Sequence, residues 1–226
     1  MRLIGLVEPV CRARTLTRPR RIASFFLMTL LCSAASLVYA QSALAPNFSV
    51  GDTWTRKNRD FTYTISVVKI EEGGTWFTGG IADCTGCLSF YDKQLTLRKL
   101  THSDGSDVDV MRGGFVPLGS DWKYYDFPLV VTKKWSLDAR GFWQGQSARY
   151  HADCWVVAYE DVKTPAGTFK AYRIRRNWSF RYPGFGEVYY TWDDTVWYAP
   201  ETKLEVKSET THPSLRSWEL LSFSLK

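Results

Sequence analysis

Beyond residue 50, apolar and polar positions alternate with a period of two along most of the chain, and no window carries a helical stripe. The spacing predicts strands over 60–70, 75–83, 88–92, 94–100, 107–112 and 127–138, with a loop rich in Gly and Pro over 113–123. Four longer strands follow, at about 145–162, 168–182, 187–198 and 203–211, and a last one over 217–225 closes the chain. Strands at this spacing, joined by turn-forming residues, predict an all-β domain built as an antiparallel meander. A β-sandwich and a small closed barrel are the alternatives.

Two of the long strands carry a charge where the pattern asks for an apolar residue. One face of the first reads Tyr172, Ile174, Arg176, Trp178, Phe180, and one face of the second reads Val188, Tyr190, Trp192, Asp194, Val196, Tyr198. Directly opposed residues share a face, so even positions must meet even positions. If paired numbers sum to 370, Phe180 meets Tyr190, Trp178 meets Trp192, Ile174 meets Val196, and Arg176 meets Asp194. A slip to 368 leaves both charges without an opposed partner. A buried unpaired charge costs several kcal/mol, roughly 3–5 by mutational precedent, so the first register is expected. The pair is either a device that sets the register or the polar spot of a greasy cavity where a ligand head group docks.

The first 40 residues follow a different pattern. Arg18, Arg20 and Arg21 precede an uncharged apolar run from Ile22 to Val38, and Val38-Tyr39-Ala40 has the small-x-small form read by signal peptidase. The expectation is a signal peptide over residues 1–40, cleaved after Ala40, and a single β domain over 41–226. No membrane-spanning segment is expected after cleavage, and the product is placed in the periplasm or outside the cell. Charge then looks different. Six of the 29 basic residues and one of the 23 acidic ones lie in the leader, which leaves a formal net charge of +1 after it. Nucleic-acid binding, which needs a dense positive footprint, is not expected. All ten Trp lie beyond the leader, a density that suits strands with large apolar faces.

A faint internal echo links Val50-Gly-Asp-Thr-Trp54 with Val131-Thr-Lys-Lys-Trp135, and Gly74-Thr75-Trp76 with Gly167-Thr168-Phe169. Two similar halves would explain it. The blocks Gly51-Asp52-Thr53-Trp54, Phe127-Pro128-Leu129 with Trp135, Thr164 to Ile174, and Trp197-Tyr-Ala-Pro-Glu201 with Lys207-Ser208-Glu209 resemble exported bacterial proteins. They are those catalogued as domain of unknown function 3108 and their TapB-like relatives. The resemblance spans most of the chain after the leader. It implies a single antiparallel sheet curved into a half-barrel, similar to envelope carriers of lipids and lipoproteins, and it brings no catalytic residues.

Cys84, Cys87 and Cys154 remain after the leader. With His151 they give C-x2-C and H-x2-C, superficially a zinc set, but residues three apart on a strand point to opposite faces. No metal and no cofactor are expected. The favoured reading is a Cys84–Cys87 disulfide across a two-residue hairpin turn, Thr85-Gly86, with Cys154 a buried free thiol. The acid pairs Glu71-Glu72, Glu160-Asp161 and Asp193-Asp194 supply one carboxylate per face, which does not suit glycoside hydrolysis. His102, His151 and His212 are expected to be isolated and exposed, and no nucleophile elbow, zinc-helix motif or phosphate loop occurs. These observations point to a non-enzymatic envelope protein whose curved sheet holds an apolar or amphipathic ligand, a lipid for instance, or an envelope protein partner. Arg176, Trp178, Phe180, Tyr190, Trp192 and Asp194 are its candidate ligand-binding residues. A hydrolase of envelope polymers and a small outer-membrane barrel are the rival readings.

Overall fold

The computed structural model describes residues 42–79, 86–106, 108, 115–118, 122–143, 146–181 and 190–226, with backbone alone for 115–118, 142, 143 and 146. All of these belong to one compact unit, Val38–Lys226. Its strands are β1 (Thr53–Asn58), β2 (Thr62–Glu71), β3 (Gly74–Thr78), β4 (Cys87–Asp92), β5 (Leu97–His102) and β6 (Phe115–Leu118). The second half holds β7 (Lys134–Trp143), β8 (Gln146–Thr164), β9 (Gly167–Arg181), β10 (Tyr190–Ala199), β11 (Leu204–Thr210) and β12 (Trp218–Ser224). They form one antiparallel sheet in the order β5-β4-β3-β2-β1-β12-β11-β10-β9-β8-β7-β6. Among the described residues β5 and β6 are the two edges, so this is an open half-barrel rather than a closed barrel or a two-sheet sandwich.

Three strand assignments need correction. β1 escaped the periodicity because its buried positions hold Trp54, Arg56 and Asn58, and polar residues at two of three inward sites erase the alternation. Residues 127–133 alternate but form no strand. Phe127 and Leu129 are buried beneath the sheet, and the segment is held by the bridge Ala43↔Leu129 and by backbone hydrogen bonds of Thr132 and Lys133 to Val156. β6 lies in the expected loop, and its Pro117 is tolerable because an edge strand leaves one side without a ladder. The expected strand over 107–112 lies outside the described residues, apart from Val108.

The internal echo is a structural repeat. Gly51 N–H donates to Val67 O, and Val67 N–H to Asp52 O; Thr132 N–H donates to Val156 O, and Val156 N–H to Lys133 O. Gly51 and Thr132 share a left-handed backbone, with φ of 90° and 76°. A bulge follows Val67 in β2 and Val156 in β8. A second bulge, at Arg98 in β5 and at Val206 in β11, lies opposite the steps Phe90–Tyr91 of β4 and Trp197–Tyr198 of β10. The turns that follow each hold a left-handed residue, Leu95 and Lys203. β1–β5 and β7–β11 are therefore two copies of one five-stranded meander laid side by side, each followed in the sheet by one extra strand. Bulges increase local twist, and their repetition at matched places curls both halves the same way.

The seam between the copies is thin, since β11 and β12 pair only at Lys207↔Glu219 and Ser208↔Trp218. Other contacts close it. Trp54 Nε1–H donates to Thr202 O at 2.6 Å, Arg56 reaches Glu205, and Ala166 N–H at the tip of the β8–β9 hairpin donates to Leu220 O. The inner face is covered by the chain itself. A strap over 122–129 lays Tyr125, Phe127 and Leu129 against Tyr198, Ile174 and their neighbours, while Trp122 caps a second cluster of Leu137, Tyr150, Trp178 and Phe180. Ala139, Ala148 and Ala152 line that second cluster, and such small side chains leave room for the indole.

Candidate functional site

β9 and β10 meet in the 370 register: Phe180↔Tyr190, Trp178↔Trp192, Arg176↔Asp194 and Ile174↔Val196. All of these face inward. The Arg176 side chain is 5% exposed and that of Asp194 14%, and the shortest separation between them, Nη1 to Oδ1, is 3.9 Å. Trp178 Nε1–H donates to Asp194 Oδ2 at 2.8 Å. Across the strap, Tyr124 and Tyr125 hold their rings 5.4 and 5.6 Å from the Arg176 guanidinium, within cation–π range. Burial raises the Asp194 carboxyl above its ordinary range, against the pull of Arg176 and of the Trp178 bond.

A second buried ion pair adjoins the first. Arg56 Nη2 lies 2.9 Å from Glu205 Oε2, the Tyr125 hydroxyl donates to Glu205 Oε1, and the Arg56 guanidinium stacks 3.8 Å from the Trp218 ring centre. Desolvation would raise the Glu205 pKa, but Arg56 and the Tyr125 bond outweigh it and hold the group below the usual carboxylate range. Tyr125 thus touches both pairs and links them under the strap. Neither pair has a counterpart in the first repeat. Matching Phe77 with Ile174 and Tyr91 with Tyr198 puts Gly79, Cys87 and Leu97 at the places of Arg176, Asp194 and Glu205.

The candidate residues divide into two groups. Trp178 and Phe180 are buried with Arg176 under Trp122 and the strap, so they are core on this surface rather than an open binding face. Tyr190 and Trp192 are half-exposed at the border of that cluster. Trp192 stacks on Trp178 at 5.5 Å and 3°, Tyr190 stacks on Trp192 at 6.0 Å, and His212 stands edge-on to both rings. The stack runs from half-exposed Tyr190 through Trp192 to Trp178, whose indole N–H bonds Asp194. His212 is therefore not an isolated surface residue, and burial lowers its pKa.

The strap, Glu205, Arg56 and Tyr125 escaped the reading of the sequence. The signal was the run Trp122-Lys-Tyr-Tyr-Asp-Phe127, too aromatic for a solvated loop. Glu205 sits in an alternating strand whose bulge, invisible in sequence, turns its carboxylate inward.

Elsewhere the chemistry is sparse. His151 lies half-exposed between Asp138 and Asp153, whereas Cys154 is buried on the other face, so the two do not converge on a metal. Asp193 bonds Asn177 while Asp194 faces inward, which separates that acid pair. Cys87 is disulfide-bonded, and Cys84 lies outside the described residues. The expected two-residue turn at Thr85-Gly86 lies, apart from Gly86, outside the described residues. Among the described residues no helix is long and apolar enough to cross a membrane.

The chain is similar to three solved structures. An inferred exported protein with a YmcC-like fold from Bacteroides fragilis shares 18% identity, with 80% of this chain and 99% of that one covered and a TM-score of 0.49. An inferred lipoprotein from Parabacteroides distasonis shares 14% over 81% and 100%, with a TM-score of 0.46. The hypothetical lipoprotein YmcC from Escherichia coli shares 12% over 84% and 93%, with a TM-score of 0.44. No family model matches the chain, and no curated protein matches it.

Proposed function

We propose that this is an exported, non-enzymatic envelope protein that binds an amphipathic ligand at the Tyr190–Trp192–His212 shelf. The leader pattern of residues 1–40 supports export to the periplasm or beyond, with residues 41–226 as the working domain. One observation carries the binding reading: a half-exposed aromatic stack runs directly onto a buried charge pair absent from the other repeat. Apolar walls with a few placed polar groups are the usual make-up of a small-molecule site. Arg176 and Asp194 supply the polar contacts, and Tyr190 and Trp192 take the apolar part. Trp178 and Phe180 support the shelf from below.

Native mass spectrometry of protein purified from its own envelope fraction tests this. A copurifying amphipathic molecule, lost when Trp192→Ala and Tyr190→Ala are combined, is the expected result. A protein of bare polypeptide mass, with no added mass under any gentle extraction, refutes it.

A further inference from the structure

Four polar atoms near the shelf are buried without a hydrogen bond among the described residues: Arg176 Nε and Nη2, Trp192 Nε1 and Asp194 Oδ1. They belong to three residues that are mutual neighbours on two paired strands. Nε and Nη2 lie on the same side of the guanidinium. They form the fork that donates in parallel to two oxygens of a carboxylate or phosphate, while Nη1 faces Asp194. An arginine this deeply buried, with its fork unused, is expensive to keep unless something fills it. Trp192 Nε1 adds a third donor, and Asp194 Oδ1 an acceptor.

From this we infer that the shelf takes ligands whose head group is an oxyacid, a carboxylic acid or a phosphate ester, seated on the Nε/Nη2 fork of Arg176. The inference rests on the amphipathic-ligand reading above and names its head group. Charge fixes the rest of the arrangement. The buried set Arg56, Glu205, Arg176 and Asp194 is neutral when all four are ionised, so a carboxylate or a singly charged phosphate ester must arrive with one further proton. Asp194 Oδ1 is the oxygen placed to share it. The ligand oxygens accept from Arg176 and Trp192 Nε1–H, and one O–H joins the ligand to Asp194. Oδ1 itself is buried, but the Asp194 side chain is partly exposed and Trp192, two residues along the same face, is half-exposed, so solvent lies next to this point. The titratable groups whose charge reaches Asp194 are Arg176 on β9, Glu205 on β11, Tyr124 on the strap and Cys154 on β8, with Asp193 on the opposite face of its own strand. Arg176 is the one cation among them. Uptake of a proton therefore makes binding tighten as pH falls toward the titration of Asp194.

The test is calorimetric titration of the envelope-purified protein with four single-chain probes of equal tail: dodecanoic acid, dodecyl phosphate, dodecanol and dodecyltrimethylammonium. The acid and the phosphate should bind at least about tenfold tighter than the alcohol, the contribution of one charge-assisted hydrogen bond. Whichever of the two binds tighter identifies the head group. Arg176→Lys keeps the charge but loses the fork and should abolish the preference. Trp192→Phe leaves the buried pair intact and should weaken the acid several-fold while sparing dodecanol, which keeps the inference testable if Arg176 variants do not fold. Equal binding of acid and alcohol overturns the head-group inference and leaves the amphipathic site standing, as does a preference for the ammonium probe. Failure of every probe to bind overturns both.

Discussion

Removing either partner of the Arg176–Asp194 pair should destabilise the fold in two distinguishable ways. In Arg176→Met, Asp194 is left buried without its cation. A carboxyl can escape by taking a proton, and its folded pKa, already raised by burial, rises further. Each unit of displacement costs about 1.4 kcal/mol, so protonating a group of ordinary pKa near 4 costs up to roughly 4 kcal/mol at about pH 7. The sign follows from the direction of the shift. A folded pKa above the unfolded one gives a penalty that is absent below the unfolded value and grows as pH rises toward the folded one. The deficit of this variant should therefore shrink by about 2–3 kcal/mol between about pH 7 and pH 5.

Asp194→Asn behaves otherwise. Trp178 Nε1–H keeps an acceptor, but Arg176 cannot discharge, so about 3–5 kcal/mol is lost at any pH. The double variant Arg176→Met with Asp194→Asn holds no buried charge at this place and should recover most of the loss. Urea denaturation across that pH range reads all three. The reasoning fails if the double variant loses the sum of the singles, or if the Arg176→Met deficit does not change with pH.

Other outcomes follow from the repeat and the strap. Thr132 holds φ at 76° where its counterpart is Gly51, so Thr132→Gly should raise stability by about 1 kcal/mol in thermal unfolding, relieving a left-handed β-branched residue. Tyr125→Phe removes one of the groups that keep Glu205 ionised, and should cost about 1–3 kcal/mol by urea denaturation. Because the Glu205 pKa is lowered, its contribution is complete above the ordinary carboxylate range and lost as pH falls through the folded value; Tyr125→Phe should move that acid limb upward. Trp122→Ala empties the cap of the second cluster and should cost about 3–5 kcal/mol, with the strap exchanging its amide hydrogens faster. Intact mass of the envelope-fraction protein should begin at Gln41, and a retained leader would refute cleavage after Ala40.

Local information carried the class of the fold, most strands, and the pairing of β9 with β10. Side chains on a strand alternate strictly, so a charge at an apolar position constrains register without knowledge of anything else. Arg176 and Asp194 were placed opposite one another on that ground alone. The echo of Trp54 and Trp135 likewise reported a repeat, because each opens the first strand of a meander with the same turn before it. What sequence could not decide was what lies on the inner face. Phe127 and Leu129 alternate as a strand does, yet the cause is burial under a sheet whose other strands are remote in sequence. Periodicity records that one side of a segment is dry and is silent about what covers it. The inward turn of Glu205, the link from Arg56 through Tyr125 toward Arg176, and the burial of Trp178 and Phe180 all depend on bulges and on the strap. These are contacts between distant segments, and only the curved half-barrel with its strap brings them together.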